Sequence, residues 1–138
     1  MIHSTIASII KQRPLAVIEE ADSLRDACQV MCELDVRAVV VTQNKKLVGV
    51  LSERDVIQQC VCPGKRTAEM RVHEAMTKDP STLSDKDSLA AAIELMSKGH
   101  FHHLPIMSQD EVVGLLSSDD IPEEYRMLLE RFKEIRGR

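Results

Sequence analysis

Residues 48–55 read VGVLSERD, and residues 113–120 read VGLLSSDD. The two phrases lie 65 positions apart, and that offset aligns residues 22–57 with 87–122 without a gap. Asp22-Ser23-Leu24 falls on Asp87-Ser88-Leu89, Ala27 on Ala92, Met31 on Met96, Val48-Gly49 on Val113-Gly114, and Asp55 on Asp120. Self-similarity of this kind marks duplication of one supersecondary unit.

Each copy carries the same succession of patterns. In DSLRDACQVMCEL the apolar positions Leu24, Ala27, Cys28, Met31 and Leu34 form a helical stripe, repeated at Leu89, Ala92, Ile93 and Met96. Ser23 and Asp26 have capping-box spacing, which predicts the helix start. RAVVVT, the turn QNKK and LVGVLS then read as a hairpin, matched by HLPIM, SQDE and VVGLLS. A second helix is expected from about Arg54 and about Pro122, and extended pieces at LAVI (15–18) and PSTL (80–83). The unit is β-α-β-β-α and the fold class α+β (α/β). A unit of about 60 residues buries only a modest core, so the two copies are expected to pack with pseudo-twofold symmetry. The division expected is residues 1–62 for the first unit with its N-terminal helix (Ile2, Ile6, Ile9, Ile10), 63–75 for a linker broken at Pro63-Gly64, 76–122 for the second unit, and 123–138 for an amphipathic helix bearing Leu128, Leu129, Phe132 and Ile135.

Composition narrows the function. The 138 residues are 43% hydrophobic, but Phe101, Tyr125 and Phe132 are the only aromatics, so the core must be aliphatic. A net charge of −4 and the scarcity of stacking rings weigh against nucleic acid. No run reaches the roughly 18 apolar residues of a membrane helix. The start does not read as a signal peptide, so the expected location is cytoplasmic. Cys28, Cys32, Cys60 and Cys62 lack C-x-x-C spacing and read as structural thiols, with Cys28 and Cys32 on an apolar helix face. No nucleophile elbow, phosphate-binding Gly-rich loop or metal triad is present, so no enzyme is expected.

The repeated phrase has two readings. Ser52-x-x-Asp55 and Ser117-x-x-Asp120 stand where a strand becomes a helix, and a Ser followed by an acid three residues on is a helix-start pattern. The same carboxylate suits the adjacent hydroxyls of a ribose, beside free helix-terminal amides. Gly49 and Gly114 mark a close-packed or bulged strand.

The chain resembles the CBS domain family (named for cystathionine beta-synthase) from about Ile6 to about Pro122, and the pair resembles a Bateman module. The marks are VVVTQNKKLVGVLSERDVI in the first copy and AMTKDP, FHHLPIM and VVGLLSSDDI in the second. The resemblance implies an adenosine ligand such as AMP, ADP, ATP, S-adenosylmethionine or NAD, with no cofactor required, and a homodimer that regulates another, unknown protein. It implies ribose contacts from Asp55, Asp120, Ser52 and Ser117. Phosphate contacts would come from Arg37, Arg54, His102 and His103, the last two clustered with His100. A base pocket would form at Thr77, Pro80 and Pro105, with Gln12 at the position corresponding to Thr77. The second copy departs from the family pattern: His102 stands where relatives carry Arg, Asp119 adds an acid, and Pro122 disfavours helix at Ile121. The first copy is therefore expected to be the stronger site. A nucleotide sensor is the leading reading. A dimerisation scaffold without ligand is the alternative.

Overall fold

The computed structural model describes residues 5–99, 101–125, 127, 130 and 131. Ile2, His100, Leu128, Leu129, Phe132 and Ile135 lie outside the described residues. The chain divides into two compact units, one built of Pro14–Pro80, the other of Ser81 onward together with the N-terminal residues through Arg13.

In the unit Pro14–Pro80, strand β1 (Val17–Glu19) precedes helix α2 (Leu24–Leu34), and α2 leads into the hairpin of β2 (Ala38–Gln43) and β3 (Lys46–Ser52). Ser23 Oγ accepts the Asp26 N–H at 3.1 Å, so α2 begins where the cap spacing places it. Leu24, Ala27 and Met31 are buried. Leu34 and Cys32, expected on the apolar face, are exposed. Cys28 is half-buried, and burial pushes its thiol pKa up. The turn is tighter than the four polar residues QNKK suggest. Only Asn44 and Lys45 connect the strands, both at positive φ (52° and 68°), as a two-residue turn matched to strand twist requires.

After β3 comes the short helix α3 (Glu53–Val56), continued by a wide turn over Ile57–Val61. The following segment does not behave as a free linker. Val72 and His73 N–H groups donate to the Asp22 and Glu20 carbonyls at 2.9 and 3.0 Å, and Leu24 N–H donates to Met70. Helix α4 (Val72–Ala75) and strand β4 (Thr77–Lys78) thereby complete this unit, and β4 adds to β3 in a sheet ordered β1-β2-β3-β4.

In the other unit, β5 (Leu83–Ser84), α5 (Leu89–Gly99), β6 (His103–Ser108) and β7 (Glu111–Ser117) repeat the plan, and the hairpin strands keep the 65-residue offset at both ends. Both hairpins are bulged at the same place, between Val41 and Thr42 and between Ile106 and Met107. The second sheet has three strands, ordered β5-β6-β7, and the two sheets differ also at one central residue. Val40 N–H donates to Ala16 at 2.9 Å; its counterpart Pro105 has no N–H, and pairing with β5 starts one residue later, at Leu83↔Ile106. Helix α1 (Ile6–Ile10) packs against β7 in this unit, with Ile6 and Ile9 in a core of Leu89, Ala92, Ile93, Met96, Leu104, Ile106 and Leu116. The N-terminal helix thus sides with the second copy, and residues 63–80 side with the first. The expected division at 62, 75 and 76 follows the repeat, whereas the units follow burial.

The paired glycines explain how the crossing segments fit. A Cβ on Gly49 would stand 2.6 Å from Met76 Sδ and 2.8 Å from the Thr77 carbonyl; one on Gly114 would stand 2.7 Å from Ile10 Cβ. Gly49→Ala and Gly114→Ala are each expected to cost about 1–3 kcal/mol through overpacking. Urea denaturation checks this: a loss below about 0.5 kcal/mol at both positions would show that the segments yield without strain.

Candidate functional site

In each unit the repeated phrase closes the hairpin with a reciprocal pair of bonds. Ser52 Oγ accepts the Asp55 N–H at 3.2 Å, and Asp55 Oδ2 accepts the Ser52 N–H at 2.9 Å. Asp120 Oδ2 accepts the Ser117 N–H at 2.7 Å, while Ser117 Oγ accepts the Asp119 N–H at 3.2 Å. Both carboxylates therefore serve as helix-start partners, as the cap reading requires. In both, the next amide donates across the hairpin: Glu53 N–H to the Arg37 carbonyl and Ser118 N–H to the His102 carbonyl, each at 2.9 Å. After Ser117 the turn is 3₁₀, over Ser118–Asp120, and Ile121 is extended (φ −68°, ψ 123°) ahead of Pro122.

The two carboxylates differ in what else they hold. Arg13 Nη1 donates to Asp120 Oδ1 at 2.7 Å and Nη2 to Asp120 Oδ2 at 2.6 Å, a bidentate pair. Nη2 also donates to the Leu115 carbonyl at 2.6 Å. The hydrogen bond to Asp120 raises the Arg13 pKa against the opposing effect of burial, so the guanidinium stays charged. Asp120 keeps only 13% of its side chain exposed. Asp55 is half-buried as well but, among the described residues, has no donor to Oδ1. The offset places Lys78 where Arg13 stands, but Lys78 is exposed beside β3, opposite Gly49. It lines an open pocket of about 340 Å³ with Glu20, Val48, His73, Met76 and Asp79.

The other site candidates separate by unit. Arg37 and Arg54 are exposed in the unit of Asp55, with Arg37 Nε 4.0 Å from Glu53 Oε1, a pairing of little energetic weight at that exposure. Thr77 lies on β4 beside Val50, and the half-buried Pro80 follows it, so both belong with Asp55 instead of with the second copy. His103 sits opposite Ser117 across the hairpin and is half-buried; His102 is exposed. Pro105 is buried opposite Leu115. The described residues hold no cluster of three metal-ligating side chains. Sequence reading missed Arg13 and Lys78. The signal was available, since the offset that pairs Gln12 with Thr77 also pairs Arg13 with Lys78, two cations at one structural position.

Comparison with known proteins agrees with this plan. The CBS domain model matches residues 6–61 and again 72–125. The chain is 30% identical over 100 residues to the CBS domain-containing protein CBSCBSPB2 of Arabidopsis thaliana, covering 72% of this chain but 19% of that protein. It spans about a fifth of the length of such plant relatives. Among solved structures, a CBS domain protein from Pyrobaculum aerophilum complexed with AMP superposes with a TM-score of 0.79 at 26% identity, covering 92% of this chain and 97% of that one. A protein with CBS domains from Burkholderia ambifaria gives 0.77 at 26% identity, covering 85% and 90%. With two family matches over most of its length and the duplicated hairpin-and-cap unit that carries them, the chain belongs to the CBS domain family as a tandem pair.

Proposed function

We propose that this tandem pair is a regulatory module that binds an adenosine nucleotide and signals by changing its shape or its affinity for another protein. The observation that carries the reading is the state of Asp55. One carboxylate oxygen is anchored by the Ser52 N–H, which fixes the group, and the other has no donor among the described residues. A ribose presents two adjacent hydroxyls that a fixed carboxylate accepts. The AMP held by the Pyrobaculum relative supports the ligand class. Thr77 and Pro80 in the same unit are the base-side candidates, and Arg37 and Arg54 supply exposed cations for phosphate. Ser117, His102, His103 and Pro105 are the corresponding candidates in the second copy. The module works in the cytoplasm on a separate, regulated chain and uses no catalysis of its own. No helix among the described residues is long and apolar enough to cross a membrane.

The test is a thermal-shift and calorimetric screen with AMP, ADP, ATP, NAD and S-adenosylmethionine. Selective binding to the folded state raises the melting temperature, by the equivalent of about 2.7 kcal/mol at a hundredfold excess over Kd. No shift and no heat with any of the five would reject the reading. A dimerisation scaffold is the second reading. The exposed Ile57 (51%) and Val61 (59%), four residues apart past α3, favour it because they offer apolar surface to a second copy. Sedimentation of Ile57→Glu/Val61→Glu checks it: the double variant is expected to shift toward monomer, and an unchanged association state would remove this surface from the account.

A further inference from the structure

We propose that Arg13 closes the second carboxylate to nucleotide, so that each chain has one working site, at Asp55; the count rests on the nucleotide reading above. A ribose diol needs two of the roughly four acceptor sites on the two oxygens of its carboxylate. At Asp120 both oxygens already accept from the Arg13 guanidinium, and Oδ2 also accepts from Ser117. The Leu115 carbonyl also accepts from Nη2 at 2.6 Å, which holds the fork against Asp120. The anchoring continues into α1: Ile9 is buried, and Ile10 packs so closely on Gly114 that a Cβ there would stand 2.7 Å from its own. Arg13 is thus delivered to Asp120 by the packing of a helix, and its displacement must work against that packing. At the equivalent place in the other unit, Lys78 is exposed, and Asp55 accepts only from Ser52 among the described residues. An ammonium also lacks the planar fork that occupies two carboxylate oxygens together. Arg13 is therefore the residue that decides which copy takes ligand, through a contact internal to its own unit.

The experiment is isothermal titration calorimetry of the full chain with AMP, with folding of every variant checked by thermal melting. Wild type is expected to bind one AMP per chain and to lose it in Asp55→Ala. Arg13→Ala is expected to bind two, and Arg13→Ala/Asp120→Ala to return to one. If Arg13→Ala does not fold, Arg13→Gln, which keeps the length without the charge or the fork, replaces it. Two sites in wild type, one of them lost in Asp120→Ala, would overturn the closure, as would an unchanged stoichiometry in folded Arg13→Ala or Arg13→Gln. If wild type binds none while Arg13→Ala binds one AMP that Asp120→Ala removes, the reading of Asp55 fails and the closure stands. No binding by any variant rejects both.

Discussion

Asp55→Ala is expected to weaken AMP binding at least a hundredfold while leaving a folded protein. Two hydrogen bonds from a ribose to an ionised carboxylate contribute about 1.5–3 kcal/mol each. Losing both removes at least about 3 kcal/mol, which is more than a factor of about a hundred in Kd. The same substitution deletes the bond from Ser52 N–H to Asp55 Oδ2, so stability falls too, by about 1 kcal/mol as for other lost caps. The two effects separate if calorimetry is run well below the variant's melting temperature. Asp55→Asn gives an intermediate case, since its amide oxygen keeps one acceptor while the NH₂ group opposes a hydroxyl donor. A Kd within threefold of wild type for folded Asp55→Ala would reduce the residue to a helix start.

The second large effect concerns the strand that carries the site. Leu51 and Leu116 occupy the same position in the two copies, one residue before the capping serines, and both have no exposed surface. Leu51 lies in a core with Leu24, Ala27, Met31, Val39 and Val41; Leu116 lies in one with Ile6, Leu89, Ile93 and Leu104. The core around Leu51 is wholly aliphatic, and the one around Leu116 has Phe101 and Tyr125 only as partly buried rings packed against it. Leu51→Ala and Leu116→Ala are each expected to cost about 2–5 kcal/mol, the lost transfer energy plus the cavity. In a chain of this size that is a fall of about 7 °C or more in Tm. Glu33→Ala, which trims an exposed side chain on α2, is the control and is expected to stay within about 0.5 kcal/mol. A change below about 1 kcal/mol for both leucines would mean that the cores close over the deletion.

Local pattern reached far in this protein. Short apolar runs on either side of a polar turn located the hairpin strands β2, β3, β6 and β7. Cap spacing located the starts of α2 and α3, and the Ile121-Pro122 pair foretold the shortened turn in the second copy. All of these depend on side chains within a few positions of each other, where steric and hydrogen-bonding preferences act directly. The hairpin turns came out tighter than expected. A two-residue turn is fixed by positive φ at Asn44 and Lys45, and Lys is not a residue from which that geometry is read.

The duplication, the β-α-β-β-α order and the pair of carboxylates after the hairpins were determined by sequence alone, because repetition and periodicity are properties of the chain itself. Tertiary structure decided which copy each crossing segment joins. Thr77 and Pro80 went to Asp55 because β4 extends the first sheet, and Arg13 went to Asp120 across 107 positions because α1 buries Ile6 and Ile9 in the second core. No local preference distinguishes those destinations. Only the burial of the helix and the pairing of the edge strand do, and they leave one carboxylate clasped by a guanidinium and the other with an oxygen open among the described residues.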